Sequence, residues 1–588
     1  MLTAVTKSEK SPATPLDGLL DRLGPASGPD AGASVKDVLR AVQVPNTRLQ
    51  AASPVHESLE WRLSALYWQR AGLSPFLSNS VPYLINNSGR LSENAAWLLF
   101  ENLRERPPAR GAIELVELGA GSGLFAKLFL DAFRELCRAH GEDFYDRLTY
   151  VVSDHSPRSV ERWGELGMFR EHAEHVSAAQ VDALDPTVAL LADGRTRQLG
   201  PARALFCNYV LDVLPATVWR RNAATIEELV VSSHLVEAGE RLRAFTELGM
   251  DQLRALAAQR EASSELLPLV PLLEIEAAFA PARPLPRWGD DAQALLQGLP
   301  DGDRLAVHFG ALDCLERWGR QLDDAGLMLI NDYGSVDTSD TLRQTSPQRF
   351  GPTVAIGLNF PLLERCLSRL GFLVVAAPDD AARGIHTRMI SRQDLPRTRG
   401  ALLARFSEEF GRRLDAPVLA AREHVGAGRQ GEALDAYRGA LECTANDWQL
   451  LGEVAEFVGL VVRDHQAGVQ IARRAVEINP WTSAWLWNVL GDCLFYLERF
   501  SDAHEAFLAA ERVDATDARA QLNLSHTFAW LGRYDAALAA IAKGLSHDAG
   551  AYRSRLLQQQ EQLLGAIAAR RTSEHERLVR RLEKLGAA

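Results

Sequence analysis

Glu117-Leu118-Gly119-Ala120-Gly121-Ser122-Gly123 is the stretch that decides the fold of this chain, because it places three glycines between two apolar segments. Residues 112–116 (AIELV) have the length of a buried strand, and residues 124–136 repeat apolar side chains at helical spacing. The glycines therefore fall on a strand-to-helix turn, where the backbone adopts conformations closed to other residues and can approach a ligand closely. The free N–H groups at the start of the helix add to this site. The pattern predicts a nucleotide-binding turn.

The spacing of the three glycines distinguishes between ligands. A dinucleotide fingerprint has its third glycine three residues after the second, where this chain has Leu124, whereas here the third glycine comes early. The spacing favours S-adenosylmethionine (SAM) over a dinucleotide, and a tight turn without a ligand is the third alternative. We take SAM as the predicted cofactor and expect it to be bound by Glu117, Gly119, Gly121 and Gly123.

A carboxylate on the next predicted strand supports SAM. Residues 147–153 (RLTYVVS) predict that strand, and it ends at Asp154. A carboxylate at this position can accept hydrogen bonds from both ribose hydroxyls. Glu117, at the tip of the first strand, is expected close to the amino-acid part of SAM.

Composition excludes several classes of protein. The 588 residues suffice for two or more domains, and 47% apolar with 24% charged residues is ordinary for a globular chain without a membrane span. The six cysteines form no CxxC pair, so we expect no zinc site and a reducing, cytoplasmic location. A net charge of −12 disfavours nucleic acid as a partner. Residues 1–33 contain no signal-peptide core and predict a flexible leader.

Short apolar runs alternate with helical patterns up to about residue 395, which predicts an α/β domain with a parallel sheet. Residues 56–71 and 92–106 predict amphipathic helices over the cofactor cleft, the second capped by Ser92. We predict these divisions: leader 1–33, helical segment 34–110, methyltransferase domain 111–395 with a substrate-side insertion at about 216–320, repeats 425–550 and a C-terminal capping helix 551–588.

The second half of the chain contains a repeat of small-x3-large-x2-small. Its spacing is 35, 35 and then 34 residues. It occurs at Ala433, Tyr437, Ala440; at Gly468, Ala472, Ala475, where alanine stands at the large position and the match is weak; at Ala503, Phe507, Ala510; and at Ala537, Ile541, Gly544. The block resembles a tetratricopeptide (TPR) array, an all-α solenoid in which small residues let paired helices approach and large ones fill between them.

Four polar residues are candidates for the methyl acceptor side: Asn208, Tyr209, Asp212 and Asp332. Each follows an apolar run, and ligands bind beyond the carboxyl ends of parallel strands. The Asn208 carbonyl could orient an amine, and Asp212 could anchor a cation or orient the loop. Asp332 could face the substrate and Tyr333 could contact a cation through its ring. For Asn208, Asp212, Asp332 and Tyr333, a turn, cap or other structural role is the alternative. His155 and His308 lack metal-ligand spacing with other histidine, cysteine or carboxylate residues, so we predict no metal site.

The motifs VELGAGSG (116–123), YVVSDHSP (150–157), NYVLDVLPATVWR (208–220), INDYG (330–334), TLR (341–343) and LNF (358–360) together resemble the MidA-like family of SAM-dependent methyltransferases. The resemblance covers about residues 75–380. It implies a class I, Rossmann-like methyltransferase fold and an acceptor on a protein side chain, with arginine the first to test. By matching position, Gly119, Gly121, Gly123 and Asp154 would bind SAM, and Asp212 and Asp332 would line the acceptor side.

Two positions depart from the family pattern. Asn208-Tyr209 stands where the family has Asn-Glu, and Asn359-Phe360 stands where it has Asp-Phe. A phenol does not replace a carboxylate that pairs with a guanidinium in bidentate fashion, so these departures bear on arginine specificity more than on SAM binding.

Three functions follow as expectations. The first is an enzyme that methylates a protein or peptide side chain, with the TPR module recruiting the substrate; deleting residues 425–588 would then harm methylation more than SAM binding. The second is a small-molecule methyltransferase whose TPR module docks to another enzyme or forms a homodimer. The third is a scaffold that has lost methyl transfer.

Overall fold

The computed structural model describes residues 47–77, 89–108, 111–236, 240–338, 346–548 and 550–586. The predicted leader, residues 1–33, lies outside this part of the chain. The described residues form a mixed α/β sheet domain up to residue 405 and an all-helical region after it.

Before Ile113, the described residues form β1 (Arg48–Pro54), α1 (Leu59–Ala71), α2 (Ser74–Leu77) and α3 (Arg90–Glu105). In the helix predicted over residues 56–71, Ser58 is the N-cap, and its hydroxyl accepts a hydrogen bond from a backbone N–H of the first turn. The predicted cap of the other helix is wrong, because Gly89 is the N-cap residue. Ser92 Oγ instead donates to the Phe125 carbonyl and ties α3 to the helix after the glycine turn.

The chain then forms most of a large sheet through β2 (Ile113–Leu118), α4 (Leu124–His140), β3 (Leu148–Asp154), α5 (Pro157–Glu165), β4 (Val176–Gln180), β5 (Val188–Leu191), β6 (Thr196–Gln198) and β7 (Ala202–Asn208). It continues through β8 (Thr217–Asn222), β9 (Thr225–Leu235), α6 (Glu240–Arg243), α7 (Met250–Ala257), β10 (Leu273–Pro281), α8 (Gly289–Gln297), β11 (Arg304–Val307) and α9 (Phe309–Arg320). The domain closes with β12 (Leu322–Ser335), β13 (Gln348–Phe350), β14 (Thr353–Ala355), β15 (Leu358–Asn359), α10 (Phe360–Arg369), β16 (Leu373–Ala376), β17 (Ile385–Ser391) and α11 (Pro396–Arg405).

The large sheet has the strand order β16-β17-β12-β7-β2-β3-β4-β5-β6. Its five central strands, β12-β7-β2-β3-β4, are parallel, as the sequence predicts. The prediction is incomplete at both edges, where β17, β16, β5 and β6 run antiparallel to their neighbours. The chain moves outward from β2 through β3 and β4, and then returns to the other side of β2 as β7. The carboxyl ends of β2 and β7 therefore flank the point where the strand order reverses, which is the usual ligand position on such a sheet.

The central strands carry apolar side chains on both faces because both faces are covered by helices. Along β7, Phe206 packs with Phe129 of α4 on one face, and its neighbours Leu205 and Cys207 pack with Trp318 of α9 on the other. This double burial explains why the strand reads as a continuous apolar run rather than an alternating one.

A second sheet lies beside the first and is antiparallel throughout. In this sheet β9 pairs with β1 through residues 230–234 and with β8 through residues 225–228, and β8 pairs in turn with β11. The strand β10 also pairs with β9, along residues 227–235. Residues 217–307, within the region predicted as an insertion, supply all its strands except β1. The pairing of β1 with β9 brings the start of the described chain against this sheet and positions α1 near the carboxyl ends of the large sheet.

The helical region contains α12 (Glu408–Gly426), α13 (Gln430–Cys443), α14 (Trp448–Glu456), α15 (His465–Ile478), α16 (Ala484–Tyr496), α17 (Phe500–Val513), α18 (Ala518–Trp530), α19 (Tyr534–His547) and α20 (Arg553–Gly586). Every anchor of the sequence repeat lies on α13, α15, α17 or α19 and is buried. Leu556 and Leu563 of α20 are buried in a shared cluster with α18 and α19, whereas residues 568–581 are exposed. No helix among the described residues has the length and hydropathy to cross a membrane.

The helical region packs directly on the helix that follows the glycine turn. Leu124 and Leu128 of α4 belong to one apolar cluster with Trp448 and Leu451 of α14. Nearby, Trp481 Nε1 donates to the Leu166 carbonyl at 3.1 Å. The first turn of α4 is therefore buried by residues more than 300 positions away in sequence.

Candidate active site

The glycine turn has the backbone that its sequence predicts. Gly119, Gly121 and Gly123 have φ values of +61°, +54° and +77°, a region that L-residues with side chains rarely adopt. A Cβ on Gly121 would come within 2.6 Å of the Phe76 ring, and one on Gly123 within 2.9 Å of Trp163 Nε1. Side chains are therefore excluded at both positions by backbone conformation and by neighbouring protein atoms.

Asp154 lies at the end of β3 and holds the glycine turn. Its Oδ2 accepts a hydrogen bond from Gly121 N–H at 2.9 Å, and its Oδ1 accepts one from Ser156 N–H at 2.8 Å. The carboxyl group is half-buried at the cavity wall, and burial raises its pKa. Each carboxylate oxygen can accept more than one hydrogen bond, so Asp154 can still accept hydrogen bonds from ligand hydroxyls.

Glu117 lies below the cavity rather than on its wall. Its side chain is 1% exposed, and the Tyr150 hydroxyl donates to Oε2 at 3.2 Å. Burial, with a smaller contribution from the nearby Asp154 charge, raises the pKa of Glu117 to about 8. The carboxyl is therefore mostly protonated at neutral pH. Contact between Glu117 and the amino-acid part of SAM stays a prediction.

A cavity of about 440 Å³ lies at the carboxyl ends of β2, β3 and β7. Its floor is the glycine turn, Asp154 and residues 181–184, which follow β4. Its opposite wall comes from α1, α2 and the β13–β14 hairpin, through Trp61, Trp68, Phe76, Phe350, Thr353 and Ala355. The sequence predicts a helix over the cleft but does not identify these side chains. The same sequence signal that identifies Asp154, an acidic residue at the end of a strand, would also identify Asp182 as a cavity residue.

Asn208 lines the cavity, and its side-chain carbonyl is bound to a neighbouring amide. Asn331 Nδ2 donates to Asn208 Oδ1 at 2.8 Å, and Asn331 is in turn fixed by Thr387. One of the two acceptor positions of the Asn208 carbonyl is thus used within the protein, and its role in orienting an amine stays a prediction. Asn208 Nδ2 is buried and has no hydrogen-bond partner among the described residues. A buried N–H without an acceptor is costly, so this amide is suited to a ligand oxygen.

Tyr209 and Tyr333 form an aromatic stack on the cavity wall. Their ring centroids are 5.2 Å apart with an interplanar angle of 30°. Tyr209 has a φ of +57°, which is uncommon for a residue with a side chain, and its N–H donates to the Asn331 carbonyl at 2.9 Å. Such a strained position is held by its surroundings and fixes the direction of the phenol ring.

The two aspartates of the predicted acceptor side have different environments. Asp332 is buried, and its carboxyl accepts backbone N–H groups from Leu211 at 2.9 Å and Tyr333 at 2.8 Å. It does not line the cavity and instead fixes the loop that carries Asp212. The expectation that Asp332 faces the substrate is therefore wrong. Asp212 does line the cavity, and burial raises its pKa to about 7.

Residues 95–358 match the model of a family described as "Putative S-adenosyl-L-methionine-dependent methyltransferase". This segment forms a SAM-dependent methyltransferase domain. No curated protein matches the chain. Among solved structures, the chain is similar to a "likely methyl transferase" from Burkholderia thailandensis bound to S-adenosyl-homocysteine, with 15% identity over 64% of this chain and 97% of that chain and a TM-score of 0.40. Part of the chain is similar to MamA from Desulfovibrio magneticus RS-1 (13% identity, 27% of this chain and 96% of that chain, TM-score 0.23) and to pilF of Pseudomonas aeruginosa (17%, 27%, 71% and 0.25).

The methyltransferase site fits SAM as its methyl donor. SAM, when bound, supplies a methyl group carried on a positively charged sulfur. Asp154 offers a carboxylate where a ribose can be held, and the unpartnered Asn208 amide offers a donor inside the cavity. The turn at Gly119, Gly121 and Gly123 brings backbone rather than side chain to the cavity floor. We propose that these five residues hold the cofactor.

One group of side chains among the described residues has metal-ligand spacing: Asp131, Glu171 and His172. Lys127 and Arg134 already pair with both carboxylates, and His172 Nε2 lies 3.0 Å from Asp131 Oδ1. The group is an ion-pair network between α4 and the segment after α5, and two cations, Lys127 and Arg134, lie beside its carboxylates.

Proposed function

We propose that this enzyme methylates a nitrogen atom of a protein or peptide side chain. The observation that carries the proposal is the Asp212 carboxyl, buried on the cavity wall close to the Tyr209–Tyr333 stack. A carboxylate beside aromatic faces suits a cationic or proton-bearing nitrogen. The parallel strand order around the β2–β7 switch supports a Rossmann-like, class I fold for the domain.

Asp212 has the properties of a proton acceptor. A nitrogen must lose a proton when it gains a methyl group, and an acceptor of pKa near the working pH suits this task. Burial raises the pKa of Asp212 toward neutral pH and also raises that of the adjacent Asp332, so this pair of carboxyls can take up a proton at the working pH. The Asp332 carboxylate accepts a hydrogen bond from the backbone of the Asp212 loop and so positions Asp212 as the proton acceptor. Methyl transfer also requires alignment of donor and nucleophile, which this fixed loop provides.

The helical region supports a macromolecular substrate. Its paired helices with buried repeat anchors are the arrangement of a TPR solenoid, whose surfaces bind extended peptides. The region packs against α4, beside the cofactor turn, so a bound partner would be held close to the methyltransferase domain. We therefore propose that it recruits the substrate or a partner protein. Cytoplasmic location and homodimer formation stay predictions.

A small-molecule acceptor is the second candidate. The cavity wall opposite the glycine turn is rich in aromatic side chains, among them Trp61, Trp68 and Phe350. Such a wall also suits an apolar small molecule that carries an amine. Arginine is one candidate among protein acceptors, but position 209 carries tyrosine in place of the family's glutamate, and Asp332 is turned away from the cavity.

Labelled SAM and host lysate test the proposal. Purified enzyme is incubated with both, and label is counted separately in proteins and in small molecules. We expect label in proteins, lost in Asp212→Asn and kept in the control Asp251→Asn, whose side chain is 99% exposed. Label confined to small molecules would favour the second candidate. SAM binding without any label transfer would instead support a non-catalytic scaffold.

A further inference from the structure

A second cavity lies on the other side of α1 from the methyltransferase site. Its volume is about 280 Å³, and its lining is mostly aliphatic, from Val55, Val231, Leu273, Ile275 and Val354. Polar groups enter it from Ser58, Glu60, Glu274 and Arg349. The methyltransferase chemistry described above uses none of these residues.

The wall between the two cavities shows that they are separate sites. On β14, Thr353 and Ala355 line the methyltransferase cavity, whereas Val354 between them lines the second one, as the alternation of a strand requires. On α1, Trp61 lines the first cavity and Glu60 the second. The Ser64 hydroxyl accepts a hydrogen bond from Val354 N–H at 3.0 Å, which joins the helix to the hairpin.

Glu60 is the unusual residue of the second cavity. Its side chain is 5% exposed, and its Oε2 accepts a hydrogen bond from the Ser233 hydroxyl at 2.7 Å. Its Oε1 is buried and has no hydrogen-bond partner among the described residues. Burial raises the pKa of Glu60, and the Arg349 charge opposes this shift. A buried carboxyl oxygen without a donor is costly unless a ligand supplies one.

The nearby cation does not satisfy this oxygen. Arg349 Nη1 donates to the carbonyls of Val270 at 3.1 Å and Leu273 at 2.8 Å, and the residue is exposed at the cavity edge. An ammonium group at Oε1 would provide both a donor and a compensating charge, while the aliphatic lining would receive the rest of the ligand.

We propose that the Glu60 cavity binds a small primary amine with an aliphatic body, as a ligand site distinct from the methyltransferase site. The amine would donate to Glu60 Oε1, and its alkyl part would contact Val231, Ile275 and Val354. The volume accommodates a branched chain of about five carbons.

Calorimetric titration with 3-methylbutylamine tests the proposal, in full-length protein saturated with S-adenosyl-homocysteine. The neutral 3-methylbutan-1-ol serves as a matched ligand without the charge. We expect the amine to bind at least tenfold more tightly than the alcohol. Glu60→Gln should remove this difference, and the control Glu265→Gln, at an exposed glutamate, should keep it.

Two further variants keep the test decisive. Ile275→Phe fills the cavity from β10 and should abolish amine binding even if Glu60→Gln fails to fold, while S-adenosyl-homocysteine affinity reports an intact domain. Asp212→Asn should leave amine binding unchanged. Equal binding of amine and alcohol, retention of the preference in Glu60→Gln, or loss of amine binding in Asp212→Asn would each overturn the proposal, the last by placing the amine in the methyltransferase cavity.

Discussion

Alanine at Gly123 should damage the cofactor turn far more than alanine at Gly141, although the two glycines cap opposite ends of α4. Both have left-handed backbone, with φ of +77° and +68°, so both variants carry a backbone cost of about 1–2 kcal/mol. A Cβ on Gly141 has nothing within 4 Å, whereas one on Gly123 lies 2.8 Å from Met168 Sδ and 2.9 Å from Trp163 Nε1. The difference in unfolding free energy between the two variants therefore measures the cost of the steric clash at Gly123.

The collision cannot be relieved cheaply, because Trp163 is 1% exposed and its Nε1 donates to the Gly121 carbonyl at 3.2 Å. Overpacking costs about 1–3 kcal/mol and the lost hydrogen bond about 0.5–1.5 kcal/mol. We expect Gly123→Ala to lose about 1.5–4.5 kcal/mol of unfolding free energy beyond Gly141→Ala, from the overpacking and hydrogen-bond costs together.

Urea unfolding gives the stability of each variant, and calorimetric titration with S-adenosyl-homocysteine gives cofactor-site affinity. We expect at least a tenfold loss of affinity in Gly123→Ala and less than threefold in Gly141→Ala. In a double-mutant cycle with Trp163→Phe, which removes the indole nitrogen, the two costs should not add. Equal stability and equal affinity in the two alanine variants would refute the steric reasoning.

Four other outcomes follow from the site. Asp154→Asn should weaken S-adenosyl-homocysteine binding at least tenfold, because the asparagine NH2 group would replace one acceptor oxygen and face the N–H of Gly121 or Ser156, donor against donor. Unchanged calorimetric affinity would contradict this. Methylation by the wild type should rise between pH 6 and 8 as Asp212 ionises, and Asp212→Asn should lower kcat at least a hundredfold with cofactor affinity within threefold; a flat pH profile would remove Asp212 as proton acceptor. The pKa of Glu117 is raised to about 8, so the unfolded chain loses this proton at lower pH than the native protein, and stability should fall from pH 5 to 8; urea midpoints should show a weaker fall in Glu117→Gln, and identical slopes would argue against a protonated Glu117. Deleting residues 425–588 should lower cofactor affinity as well as protein methylation, since Leu124 and Leu128 of α4 would lose part of their cover; full affinity in the truncated protein would show that the turn does not need the helical region.

The features that the sequence predicts well are local in the chain. The glycine turn and Asp154 follow strands directly, and the repeat anchors recur at a fixed period. In each case neighbouring residues determine the backbone or the buried face. The central strands follow for the same reason, because a strand covered on both sides needs a continuous apolar run such as residues 204–207.

The features that it predicts poorly depend on contacts between distant segments. The pairing of β1 with β9 joins residues about 180 positions apart, and no local pattern specifies it. The positions of Asp212 and Asp332 show the same limit. Both follow apolar runs, but the Asp332 carboxylate accepts hydrogen bonds from the N–H groups of Leu211 and Tyr333. The sequence does not reveal these contacts. One aspartate therefore builds the loop and the other lines the cavity.

The packing of the helical region on α4 changes how the two halves of this protein are understood. The sequence suggests a catalytic domain and a separate recruiting module. In the structure, Leu124, the first residue of α4 after the cofactor turn, is fully buried in a cluster with Trp448 and Leu451 of the helical region. Because α4 begins where the turn ends, any partner that shifts α14 acts on the backbone that carries Gly123. If the helical region recruits the substrate as proposed, recruitment and cofactor binding share one helix, and this shared helix would couple them.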